Sequence, residues 1–193
     1  PSVPDGANHV AFAYSKDGKD RFMTDYPNLN LLDGTSDKDH KVTGGGWNSS
    51  VIGVYKTPKA GQEYTLSVEV PEADHDVRLE LVRLNDAGDR VDGVSSKVIK
   101  SGEKDHITFT WTEPENSSAT HLSANLAWAD GVHEGTYSYR KAKLEEGSTA
   151  TPWMPSSSEA TAKDYPSYIG TYTDNDSNSQ SADPEKYTWK KIE

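Results

Sequence analysis

The chain has 193 residues, 20 Lys+Arg against 31 Asp+Glu, a net charge of -11 and no cysteine. That length accommodates one large β domain, or one domain with a small companion. The charge argues against nucleic acid, because phosphate binding needs a concentrated Lys/Arg footprint and these bases are scattered among acids. No stretch approaches the roughly 18–20 apolar residues of a membrane span. Without cysteine there are no disulfides and no thiolate metal sites, and the compartment stays open. The opening residues carry no apolar leader and no initiator Met, so the sequence reads as a fragment without a signal peptide.

Taken in chain order, the first element is "NHVAFAYS", a strand, followed by the turn "KDGKD" and a short "RFMT". "EYTLSVEV" alternates Tyr64, Leu66, Val68 and Val70 with polar residues, the pattern of a half-buried strand. "VRLELVRL" repeats it with Val77, Leu79 and Leu81. "HITFTWTE" places Ile107, Phe109 and Trp111 on one face. "HLSANLAW" and "TYSYRKAKLEEG" complete the set, and turns such as "TPKAGQ", "NDAGDR", "KSGEKD" and "ADGVHEG" separate them. Strands and turns in this rhythm predict an all-β, antiparallel β-sandwich. "SSSEATAKDY" is short, polar and bracketed by Pro155 and Pro166, so it reads as a linker. "YIGTYT" and "YTWKKI" then supply two last strands.

"DYP" occurs at Asp25-Tyr26-Pro27 and again at Asp164-Tyr165-Pro166. Neither chain end is long enough to be stable alone, but together they make a small sheet. The expected organisation is therefore an insertion. Residues 1–28 are the first half of a small flanking β domain, 29–154 a sandwich, and 155–193 a linker plus the second half of the flanking domain.

Three stretches carry a resemblance: Asn30-Leu31-Leu32, "GGGWNSS", and the closing run Lys143-Leu144-Glu145-Glu146-Gly147 followed by Thr151-Pro152-Trp153. They resemble the jelly-roll, galactose-binding-like carbohydrate-binding modules in tail and receptor-binding proteins of phages of Gram-positive bacteria. The two chain ends are similar to a short β element of phage tail-tip proteins whose halves are usually contiguous. The resemblance implies a jelly-roll inserted into a small β domain, non-catalytic adhesion to cell-wall polysaccharide, other phage tail proteins as partners, and a place in the virion tail. That tail would be assembled in the host cytoplasm and act at the host surface.

Sugars present an apolar C–H face and a rim of hydroxyls, so a site needs an aromatic platform beside planar hydrogen-bonding groups. Trp111 shares the parity of Ile107 and Phe109 and reads as core; Trp153 and Trp189 read as packing. Trp47, in a Gly-rich polar loop, and Trp128, at a strand end, are the binding candidates, with His133 in the turn after Trp128. Asn125, Arg78 and Arg140 fall on polar strand faces and could hydrogen-bond hydroxyls or a phosphorylated glycan. No catalytic residue is assigned, since the carboxylates sit in turn-like contexts and no Gly-x-Ser-x-Gly or His-Glu-x-x-His occurs. No cofactor is expected beyond structural calcium, for which loops 33–39 and 85–89 offer oxygen ligands. A tail-fibre spacer, or a glycan-degrading domain, are the alternatives.

Overall fold

The computed structural model describes residues 8–46, 50–91, 95–102, 106–131 and 134–193. The chain divides into two compact units, one made of both ends (residues 1–28 and 160–193) and one of residues 29–159.

In the end unit, β1 (His9–Ala13), β10 (Tyr168–Tyr172) and β11 (Thr188–Lys191) form an antiparallel sheet in the order β1-β10-β11. Phe12 pairs with Ile169, and both join Met23 in a small core. Two glycines make room for a single indole. A Cβ on Gly170 would lie 2.8 Å from the Trp189 ring, and Gly18, at φ 78° in the "KDGKD" turn, presses on the same ring. The buried His9 stacks on Tyr172 at 4.4 Å and pairs with Asp174 at 2.7 Å.

The larger unit has two four-stranded antiparallel sheets. One runs β2 (His40–Gly44), β9 (Gly135–Glu146), β4 (Glu63–Ala73), β7 (His106–Thr112). The other runs β3 (Ser50–Lys56), β8 (His121–Trp128), β5 (Val77–Leu84), β6 (Ser95–Ile99). Consecutive strands alternate between the sheets around the sandwich except for the β5–β6 hairpin, which is the jelly-roll connection. The alternation of "EYTLSVEV" and "VRLELVRL" places Tyr64, Leu66, Val68, Val70, Val77, Leu79 and Leu81 in the common core.

The closing motif has a structural explanation. Lys143 and Glu145 lie on the outward parity of β9 yet are fully buried, because the segment after β9 folds back over them. Lys143 Nζ donates to Thr151 Oγ1 (2.8 Å) and the Pro152 carbonyl (2.9 Å). The Glu145 carboxylate accepts from Thr151 Oγ1 (2.6 Å) and Thr151 N (3.1 Å), and lies 3.8 Å from Lys143 Nζ. Burial lowers the Lys143 pKa to about 8, with Glu145 opposing. Asn30 completes the clasp. Its amide donates to the Ala142 and Met154 carbonyls, and its oxygen accepts from Leu144 N. Trp153 Nε1 donates to Thr35 Oγ1 at 3.0 Å. A backbone bridge between Asn30 and Ser156 brings the two ends of this unit together.

Candidate functional site

The structure separates the six candidate residues. Trp128 is not a platform: it is fully buried in the core, donates from Nε1 to the Gly44 carbonyl (3.0 Å), and packs edge-on against Tyr137 at 5.0 Å. Its parity with Leu122, Ala124 and Leu126 carries that signal, the same reasoning that assigns Trp111 to packing. Trp47 and His133 lie outside the described residues, as do the side chains of Ile107 and Phe109. Arg140 is on the outward face of the β2-β9-β4-β7 sheet, whereas Arg78 and Asn125 are on the outward face of the β3-β8-β5-β6 sheet. They therefore face opposite sides of the sandwich and cannot share a ligand.

Both arginines are engaged. Arg140 Nε donates to Glu69 (2.9 Å) and its guanidinium to Asp39 (3.2 Å), contacts that raise its pKa further. Arg78 donates to the Ala129 carbonyl at 2.6 Å. Arg83, on the inward parity of β5, lies 4.9 Å over the Trp111 ring and 3.8 Å from the buried Glu113 carboxylate. That cluster belongs to the end of the core rather than to a surface.

The outward β3-β8-β5-β6 face combines exposed apolar side chains with polar ones. Register sets its rows. Val51 sits opposite Asn125, which sits opposite Glu80; Val54 sits opposite Ser123, which sits opposite Val82; Ala127, Arg78 and Val98 form a third row. A bulge between Val51 and Gly53 keeps both Val51 and Val54 outward. They are 60% and 44% exposed, and Val98 is 42% exposed, so three of the four exposed large apolar side chains among the described residues share this face. Sequence reasoning passed over them because it looked for indoles. The same C–H floor is made here from valines.

Among them lies a polar centre. Ser123 Oγ donates to Asn125 Oδ1 at 2.8 Å, and Asn125 Nδ2 donates to no described residue. Glu80 is 8% exposed and forms no hydrogen bond or ion pair with any described residue. Sequence inspection missed Glu80 because a glutamate in "VRLELVRL" looks like any solvated strand residue.

Among the described residues, concavities adjoin both sheets. A cleft of about 500 Å³ opens beside Val98 and is lined by Asp74, Asp76, Lys100 and Asp130. Its carboxylates are already committed, Asp74 to Thr136 N (2.8 Å) and Asp76 to Ser101 N (2.8 Å) and Lys100 (3.1 Å). The Ser101 amide, then Lys100, holds Asp76 below the usual carboxylate range. A pocket of about 90 Å³ between His40, Tyr139 and Arg140 has room for a few waters and is too small for a sugar ring. Among the described residues no group of three or more His, Asp or Glu gathers around a metal position. Asp39, in one loop considered for calcium, is paired with Arg140.

An eight-stranded jelly-roll inserted between two chain ends that close a small sheet is thus the class of molecule these elements define. No family model matches the chain, and no curated protein matches its sequence. Among solved structures, the chain is similar to the tripod (BppUct-A-L) from the baseplate of bacteriophage Tuc2009. The identity is 28%, the TM-score 0.69, and the alignment covers 98% of this chain and 80% of that one. Weaker likenesses cover 62% of the chain. They are to bacteriophage CBA120 tailspike protein 4 (9% identity, TM-score 0.44, 22% of that chain) and to a family 16 carbohydrate-binding module (13%, 0.40, 85% of that chain). The likeness to the Tuc2009 tripod spans both units, so the split arrangement and the sandwich are matched together.

Proposed function

We propose that this chain is a non-catalytic saccharide-binding module of a phage tail, which holds the tail tip to the cell-wall polysaccharide of a Gram-positive host. The observation that carries the reading is the near full-length likeness to a phage baseplate component. The sugar-compatible β3-β8-β5-β6 face supplies the means, with an aliphatic floor and an amide-carboxylate centre. Its partners would be the wall glycan and neighbouring tail proteins, and its place the virion tail. A shallow face binds weakly, and repeated copies on a tail tip would compensate through effective concentration. Catalysis is disfavoured on geometry. Glycoside hydrolysis needs two carboxyl groups about 5–10 Å apart, and among the described residues of this face Glu80 is the only one.

A fluorescent fusion of the chain should label host cells and be displaced by purified wall polysaccharide. The double variant Val51→Asp/Val54→Asp should lose labelling without losing the fold, whereas Arg140→Ala, on the opposite sheet, should label normally. Failure to label any strain adsorbed by the parent phage favours a tail spacer instead.

A further inference from the structure

We infer that the centre of this face is specific for a neutral, hydroxyl-bearing sugar and rejects anionic glycans such as glycerol-phosphate polymers. The inference rests on the saccharide-binding reading and narrows it. Glu80 and Asn125 are directly opposite each other on β5 and β8, which puts their Cβ atoms about 5 Å apart. Ser123 occupies Asn125 Oδ1 and so orients the amide, leaving Nδ2 as a donor. Glu80, ionised, is an acceptor only. The pair therefore offers one donor beside two acceptor oxygens. A sugar hydroxyl, which both donates and accepts, satisfies both groups; a phosphate or uronate oxygen satisfies only the amide and sets its charge against Glu80.

Burial makes the mismatch matter. Glu80 is 8% exposed as a residue and has no partner among the described residues, so its carboxylate is left to the little solvent that reaches it until a ligand supplies a donor. The valines around it reduce the water available to screen a second negative charge. Both arginines considered as anion contacts are turned elsewhere. The Arg78 guanidinium is engaged with the Ala129 carbonyl, and Arg140 lies on the other sheet, paired with Glu69 and Asp39.

The test uses the whole chain with two probe sets, an array of neutral hexose and N-acetylhexosamine oligosaccharides, and poly(glycerol phosphate). Wild type is expected to bind members of the first set and not the second. Glu80→Gln, which keeps shape and removes charge, should weaken the neutral ligand about 10- to 100-fold, as loss of a hydrogen bond to a charged group does, with a melting temperature equal to or above that of wild type. If that variant does not fold, Asn125→Asp, which removes the donor and adds a charge, should show the same loss. Equal or tighter binding of poly(glycerol phosphate), or an unchanged affinity in the folded variant, overturns this specificity while leaving saccharide binding intact. No binding to any saccharide by wild type overturns both.

Discussion

Glu145→Gln tests the buried clasp that closes the sandwich. The substitution keeps the side chain's shape and its acceptance from Thr151 N, but leaves Lys143 without a countercharge. Breaking a fully trapped ion pair typically costs about 3–5 kcal/mol. Here the penalty has an upper limit, because Lys143 can escape it by losing its proton. With a folded pKa of about 8, the neutral amine lies only roughly 1–2 kcal/mol above the ammonium at pH 7. Weakening the charge-assisted bond to Thr151 adds about 1 kcal/mol that does not depend on pH. The expected loss is thus about 2–3 kcal/mol at pH 7, falling to about 1 kcal/mol at pH 9.5. The sign follows from proton counts: the folded variant binds fewer protons than folded wild type between pH 7 and 9, so the variant gains on wild type as pH rises. Urea unfolding at the two pH values measures this difference. A loss that is independent of pH, or that grows toward pH 9.5, refutes the reasoning.

Two further outcomes are expected. Trp128→Ala should lower stability by about 3–5 kcal/mol through cavity formation, read as an earlier urea midpoint; retained stability with lost cell labelling would return the indole to the surface. Burial raises Tyr14 and Tyr64 to about 12 and Tyr137 higher still. The folded chain therefore holds these protons when the unfolded chain has released them, and stability should fall as pH rises above 10. A spectrophotometric titration should show a late-titrating tyrosine class, and a single transition near 10 would contradict the burial.

The sandwich was legible where burial follows period 2. In "EYTLSVEV" and "VRLELVRL" the apolar parity is the core parity. It was not legible where tertiary structure covers a polar face. Lys143 and Glu145 look like solvated strand residues until the segment through Thr151 folds onto them. The site suffered from the same limit. Period 2 says that Arg78, Asn125 and Arg140 point away from the core, but not that two sheets point them in opposite directions. Trp128 was misread for another reason: its position at a strand end outweighed a parity that its own strand displays.

The bridge between Asn30 and Ser156 has a consequence for how the end unit assembles. β1 and β10 are separated by the whole of the sandwich, and closing so long a flexible tether would be entropically unfavourable. Once the sandwich has folded, Asn30 and Ser156 are pinned side by side, and the connection still to be closed shrinks to residues 14–29 and 157–167. Two to three halvings of effective length, at about 0.6 kcal/mol each, make the small sheet easier to close by about 1.5 kcal/mol. Folding of the interior segment therefore favours closure of the outer strands after it.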